Sequence, residues 1–163
     1  MRTKTILLSL CLIASHFCFS QEAIEFNDKL VAVNDSLFAK GQAWGKKFTE
    51  VSKTKEFHKL SSARIELYNF INSKIAELKK TADVGGSKEF REGMINFLLF
   101  EKELLEKAFV PLEKLNTNST DAEIKAGITN LQKSAQDENT YLEAFRKVQA
   151  AYAEKNGFRI AEQ

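Results

Sequence analysis

The residues that could carry chemistry in this sequence are few. Arg64, Glu101 and Glu138 each fall on the apolar stripe of an amphipathic stretch, where a charge is least expected. Gly41 and Trp44 lie on the matching stripe of a further stretch, with Asn34 within two turns of them. Two carboxylates at one level of a core repel unless one is protonated or a cation sits between them. An arginine can bridge both through its planar fork of donors. One reading is a buried ion-pair cluster that fixes helix register. A second is a small-ligand or cation pocket under Trp44, in the space left by Gly41. On a third, helices starting one turn away would turn these groups to solvent.

Other chemistries lack their residues. A di-iron bundle needs inward carboxylates and Glu-x-x-His pairs. His58, the one histidine beyond the first twenty residues, follows Glu56 by two positions. Haem fares no better: there is no Cys-x-x-Cys-His, and His58 and Met94 fall near opposite ends of neighbouring helices, ~25 Å apart at ~1.5 Å per residue. Both cysteines, Cys11 and Cys18, lie in the first twenty residues, so the remainder offers no thiolate for catalysis or zinc. No glycine loop follows a strand to cradle phosphate. Neither a metal nor a cofactor is expected, and nothing points to an enzyme.

Those first twenty residues read as a signal peptide. Arg2 and Lys4 make a positive start, and Ile6 to Phe19 is an apolar run too short to span a membrane. Cys18 and Ser20 are small residues at −3 and −1 of a cut before Gln21. The bulky Phe17 before Cys18 argues against a lipid anchor there. The whole chain has 24 basic and 22 acidic residues; Arg2 and Lys4 leave with the leader, so 22 of each remain. A near-neutral remainder has no general attraction to nucleic acid or to acidic membranes. Residues 21–163 are enough for one domain that is stabilised by its core without disulfides.

The elements that must position the charged residues are helices. Ala23, Asn27, Leu30, Asn34, Leu37, Gly41, Trp44, Phe48 and Val51 repeat at four-three spacing. Gly41 and Gly45 form a G-x-x-x-G, which suggests tight packing or a cavity. Thr54 is a candidate N-cap for a second helix with Phe57, Leu60, Leu67, Ile71, Ile75 and Leu78 on its stripe. Gly85-Gly86 is the strongest break, and Ser87 is a candidate cap for the third helix. Pro111 should kink that helix or end it early. Thr120 with Glu123 makes a capping box for the last helix. Its stripe runs Ile124, Ile128, Leu131, Ala135, Glu138, Leu142, Phe145, Gln149, Tyr152. Asn156-Gly157 should close it, with Phe158 to Ile160 folding back over the bundle end.

The pattern predicts an all-α, antiparallel up-down-up-down four-helix bundle with helices over about 22–51, 55–82, 88–115 and 121–155. In that topology Arg64, Glu101, Glu138 and Gly41 fall within ~9 Å of one height at ~1.5 Å per residue. They are therefore expected to form one internal polar layer. Among thirteen phenylalanines in the chain, Phe97 and Phe100 with Leu99 cannot all face one core. They mark either a partner face or an unusually thick core.

The opening Glu25-Phe26-Asn27-Asp28-Lys29-Leu30-Val31, just after a bacterial-style leader, resembles the start of an uncharacterised family of exported bacterial helical proteins, the predicted surface proteins. The resemblance implies address and fold, with no activity to carry over. The expectation is a non-enzymatic exported protein of the periplasm, the outer surface or the medium, acting on a protein partner of the cell envelope. The alternative is a bundle that binds a small ligand or cation at the polar layer.

Overall fold

A computed structural model of the chain describes the backbone of residues 3–160 and the side chains of residues 21–160. Among these every regular element is helical, and four rods make an all-α bundle, as the periodicity predicts. The first rod is α1 (Thr3–Thr54). The second is a 3-10 turn (Phe57–Leu60) leading into α2 (Ser61–Lys80). The third is α3 (Lys88–Leu104), one wide π turn (Leu105–Phe109) and α4 (Val110–Glu113). The fourth is α5 (Asp121–Ala135) followed by α6 (Glu138–Lys155). The expected leader and Cys18 lie outside the residues whose side chains are described. Among the described residues no helix is long and apolar enough to cross a membrane.

Cross-contacts fix the directions. Lys29 reaches Glu77 at 2.8 Å, Lys47 reaches Ser62 at 3.0 Å, and Lys40 pairs with Glu66 between them. Residue numbers fall on α2 as they rise on α1, so the two run oppositely. Phe90 stacks on Tyr152 and Phe100 on Tyr141, which sets α3 and α6 opposed in the same way.

Several local signals act as expected. The Thr120 hydroxyl accepts the Glu123 N–H, and the Glu123 carboxylate accepts the Thr120 N–H, completing the capping box. At the far end Phe158 N–H donates to Ala153 and Gly157 N–H to Glu154, with Gly157 left-handed. This is a Schellman closure. It folds Phe158 back against the Tyr152 ring, 5.9 Å between centroids.

Other signals act differently. Thr54 does not cap a second helix. Its hydroxyl donates back to Val51, and that of Ser52 to Phe48, so α1 continues to Thr54 past the expected end at 51. Lys55 then takes a left-handed φ of 57°, and regular α-helix resumes only at Ser61. Ser87 is fully buried and makes no side-chain cap. Its hydroxyl donates to Asp83 and accepts the Val84 N–H, so it ties the turn together. Gly85 and Gly86 in that turn have φ of 59° and 74°, a region open to glycine at little cost.

Pro111 is absorbed by the π turn rather than by a helix end. Its ring removes the N–H that would have bonded the Lys107 carbonyl. That carbonyl accepts Asn130 Nδ2 of α5 instead, at 3.1 Å. The single last helix expected over 121–155 is two helices. The break falls at Gln136–Asp137, where Asp137 takes the N-cap position of α6. Asp137, Asn139 and Thr140 are weak helix formers, and a carboxylate beside a helix N-terminus is favoured by the dipole.

The core holds two aromatic clusters at different heights. Phe90 packs on Phe26, Phe145 and Tyr152 with centroids 5.2–6.1 Å away. Trp44 stacks on Phe109 at 4.0 Å and on Phe48 at 5.4 Å. Each large side chain fully buried in this way contributes roughly 1.5–3 kcal/mol. One polar pair crosses the lower core: Gln149 Nε2 donates to Asn27 Oδ1 at 2.8 Å, both residues buried. Such a pair favours a single register between α1 and α6.

Glycine spacing separates expectation from outcome. A Cβ built on Gly41 or Gly45 meets no atom within 4 Å, so the G-x-x-x-G brings no backbone close. The close approach is at Gly93, where a Cβ would lie 2.6 Å from Val148 Cγ2 of α6. Gly41→Ala and Gly45→Ala should each stabilise the protein by about 1 kcal/mol through helix propensity alone. Gly93→Ala should destabilise it by about 1–2 kcal/mol, because stiff Val148 cannot move aside. Urea midpoints of the three variants check this, and Val148→Ala should restore the Gly93→Ala protein.

Candidate functional site

The predicted polar layer divides in two. Arg64 Nε donates to Glu113 Oε1 at 2.8 Å, and both side chains are largely buried, with 18% and 9% of their surface exposed. Arg64 thus joins α2 to α4 and bridges neither Glu101 nor Glu138. Sequence spacing missed Glu113 because it follows the π turn, which adds a residue to the local period and rotates the later positions inward.

Glu101 and Glu138 lie near enough for one charge to act on the other. Glu101 is buried in α3, and its Oε1 has no hydrogen-bond partner within the protein. Burial pushes its carboxyl up to about 8, and the neighbouring Glu138 adds a further push. Glu138 is half-buried at the start of α6, and its own carboxyl is also raised by burial. The pair therefore carries a proton at neutral pH. No group of three metal-ligating side chains occurs among the described residues.

Trp44 is buried in the upper aromatic cluster, and its indole Nε1 also lacks a partner. Gly41, half-buried, borders open space. At the two ends of the fourth rod, Asn27 pairs with Gln149 and Lys55 with Asp121 at 2.8 Å. Asn34, expected nearby, is half-buried on the same side of α1.

A second feature lies outside the bundle, along the seam of α3 and α6. A groove of about 560 Å³ is lined there by ten residues. Gly93 lets α6 settle deep against α3 beside Val148. Two turns further along, Phe100 and Tyr141 stack at 4.4 Å and 18° between ring planes. Leu99 and Tyr141 remain 45% and 40% exposed. Glu89, Glu92 and Glu103 stand along the α3 rim. Of the apolar trio noted in the sequence, Phe97 is core, Phe100 half-buried and Leu99 exposed, so the run serves two surfaces. The signal for the groove was present as Glu89, Glu92, Asn96, Leu99 and Glu103, spaced by three and four on one face of α3.

The arrangement can hold an apolar or aromatic group on the Phe100–Tyr141 pair beside fixed negative charge. It can also keep a proton in the core at Glu101. Compared with models of protein families, with curated proteins and with solved structures, the chain shows no match.

Proposed function

We propose that this is an exported envelope or surface protein that works without catalysis, as a helical bundle holding a partner protein against the α3–α6 seam. The observation that carries this reading is the groove itself. Leu99 and Tyr141 expose apolar surface beside a depression of about 560 Å³. Contiguous exposed apolar surface in a cleft is characteristic of an interaction site. Export is supported by the leader-like residues 1–20 and by the resemblance of residues 25–31 to predicted surface proteins.

Two measurements test the reading. N-terminal sequencing of the protein from its own host should find Gln21 first, in an extracytoplasmic fraction. Photo-crosslinkers at positions 99 and 141 should trap one and the same protein, whereas a crosslinker at exposed Ser73 on α2 should not. Equal trapping from all three positions would end the assignment of the seam.

The two unpartnered buried atoms, Glu101 Oε1 and Trp44 Nε1, favour a second reading. On it the bundle holds a small ligand or cation near Gly41, Trp44, Glu101 and Glu138, without Arg64. Native mass spectrometry of protein from its host should then show a stoichiometric small molecule that Glu101→Leu releases. An unaltered bare mass would remove this alternative.

A further inference from the structure

We infer that the partner segment received by the α3–α6 groove is a cationic amphipathic helix. This rests on the reading of the groove as a protein-docking site and adds the chemistry of its occupant. The lining includes three glutamates and no lysine or arginine. The chain as a whole is close to charge balance, with 24 basic and 22 acidic residues, so the groove is a local departure from its own composition.

The charges are also spaced. Glu89, Glu92 and Glu103 lie on one face of a straight helix and span ~21 Å at ~1.5 Å per residue. Of the three, among the described residues, only Glu103 forms an ion pair, with Lys107 one turn away at the upper end of the groove. The opposite wall is Ala144 and Val148 on α6, uncharged and small enough to admit side chains from above. Tyr141 offers a half-exposed ring face over Phe100. Such a face accepts an aliphatic side chain or the flat cation of an arginine. A helix lying along the seam, basic on one edge and apolar on its underside, satisfies both walls at once. An acidic or uniformly polar segment would leave the three carboxylates unpaired or repelled.

The test uses the purified protein and two synthetic helical peptides of one length and hydrophobicity. One carries lysine and the other glutamate along its polar edge. Isothermal titration calorimetry should show binding of the lysine peptide alone. The combined variant Glu89→Gln, Glu92→Gln, Glu103→Gln should weaken that binding about ten-fold at low salt. Tyr141→Ala should weaken it about thirty-fold while circular dichroism shows retained helix. Raising salt should reduce binding to wild type and leave binding to the triple variant nearly unchanged. Equal affinity for the glutamate peptide, or no response to the triple variant, would overturn the inference. So would full displacement of the peptide by tetramethylammonium, which would mark the site as one for a free organic cation. If the crosslinkers at 99 and 141 still trap a protein while the lysine peptide fails to bind, the docking site stands and its cationic occupant does not. If neither occurs, both fail.

Discussion

Replacing Glu101 with leucine stabilises the protein, and by more as the pH rises. The carboxyl is buried, one oxygen is unpartnered, and its pKa stands at about 8 against an ordinary value of 4.5. Between those two values the folded state holds a proton that the unfolded state has released. Stability therefore falls with rising pH across that window, by about 1.4 kcal/mol per unit and about 5 kcal/mol in all. Below pH 4.5 the group imposes no such loss, and above about 8 the loss is complete. Glu138, shifted in the same direction, adds to the slope. Leucine removes the titration and the unpartnered oxygen together. The gain should be about 1–2 kcal/mol at pH 5, where the folded wild type holds the carboxyl neutral, and several kcal/mol at pH 9. Glu101→Gln should flatten the same slope without the gain at pH 5. The acid limb is separate: Glu77, held down to about 2 by Lys29 and Lys74, keeps its contribution above pH 4.5 and loses it as the pH falls toward 2. Urea midpoints from pH 5 to 9 check the argument. Parallel curves for wild type and Glu101→Leu would show that this carboxyl is ionised in the folded protein.

Legibility followed the range of the physics involved. The four apolar stripes, the capping box at Thr120 and the closure at Gly157 depend on residues within a few positions of each other, and they could be read directly. Counting turns also set Glu101 and Glu138 at one height, and the charge of Glu138 does act on Glu101. The count failed for Arg64 because one wide turn before Pro111 changes the helical period and brings Glu113 within its reach. Gly41 and Gly45 carried a close-packing motif, yet no neighbouring atom comes within 4 Å of where their Cβ atoms would stand. Gly93 carried no motif, and only the approach of Val148 shows what it is for. The groove belongs with these. Its acidic stripe was local and readable, but the wall completing it comes from α6, ~50 residues away in the chain, and no spacing rule joins the two.

Arg64→Leu costs about 3 kcal/mol, and Arg64→Leu combined with Glu113→Leu leaves the pH dependence of stability unchanged. Arg64 and Glu113 are a partly desolvated pair, so losing one partner strands the other beside the core. Glu113→Leu should cost a similar amount. The double variant should recover most of the loss, because two apolar side chains fill the site between α2 and α4 without a buried charge. A cycle over the four proteins should give a coupling of about 4–5 kcal/mol. Lys55 and Asp121, a pair in which the aspartate side chain is 94% exposed, should show less than about 0.5 kcal/mol in the same experiment. The unchanged pH dependence is the sharper criterion. If Arg64 bridged the two buried carboxylates, its removal would push the Glu101 titration upward and steepen the loss of stability toward alkaline pH. With Arg64 committed to Glu113, the curves of the double variant and wild type should run parallel from pH 5 to 9, offset by a constant amount. A widening gap would restore the three-charge layer and place the arginine between Glu101 and Glu138.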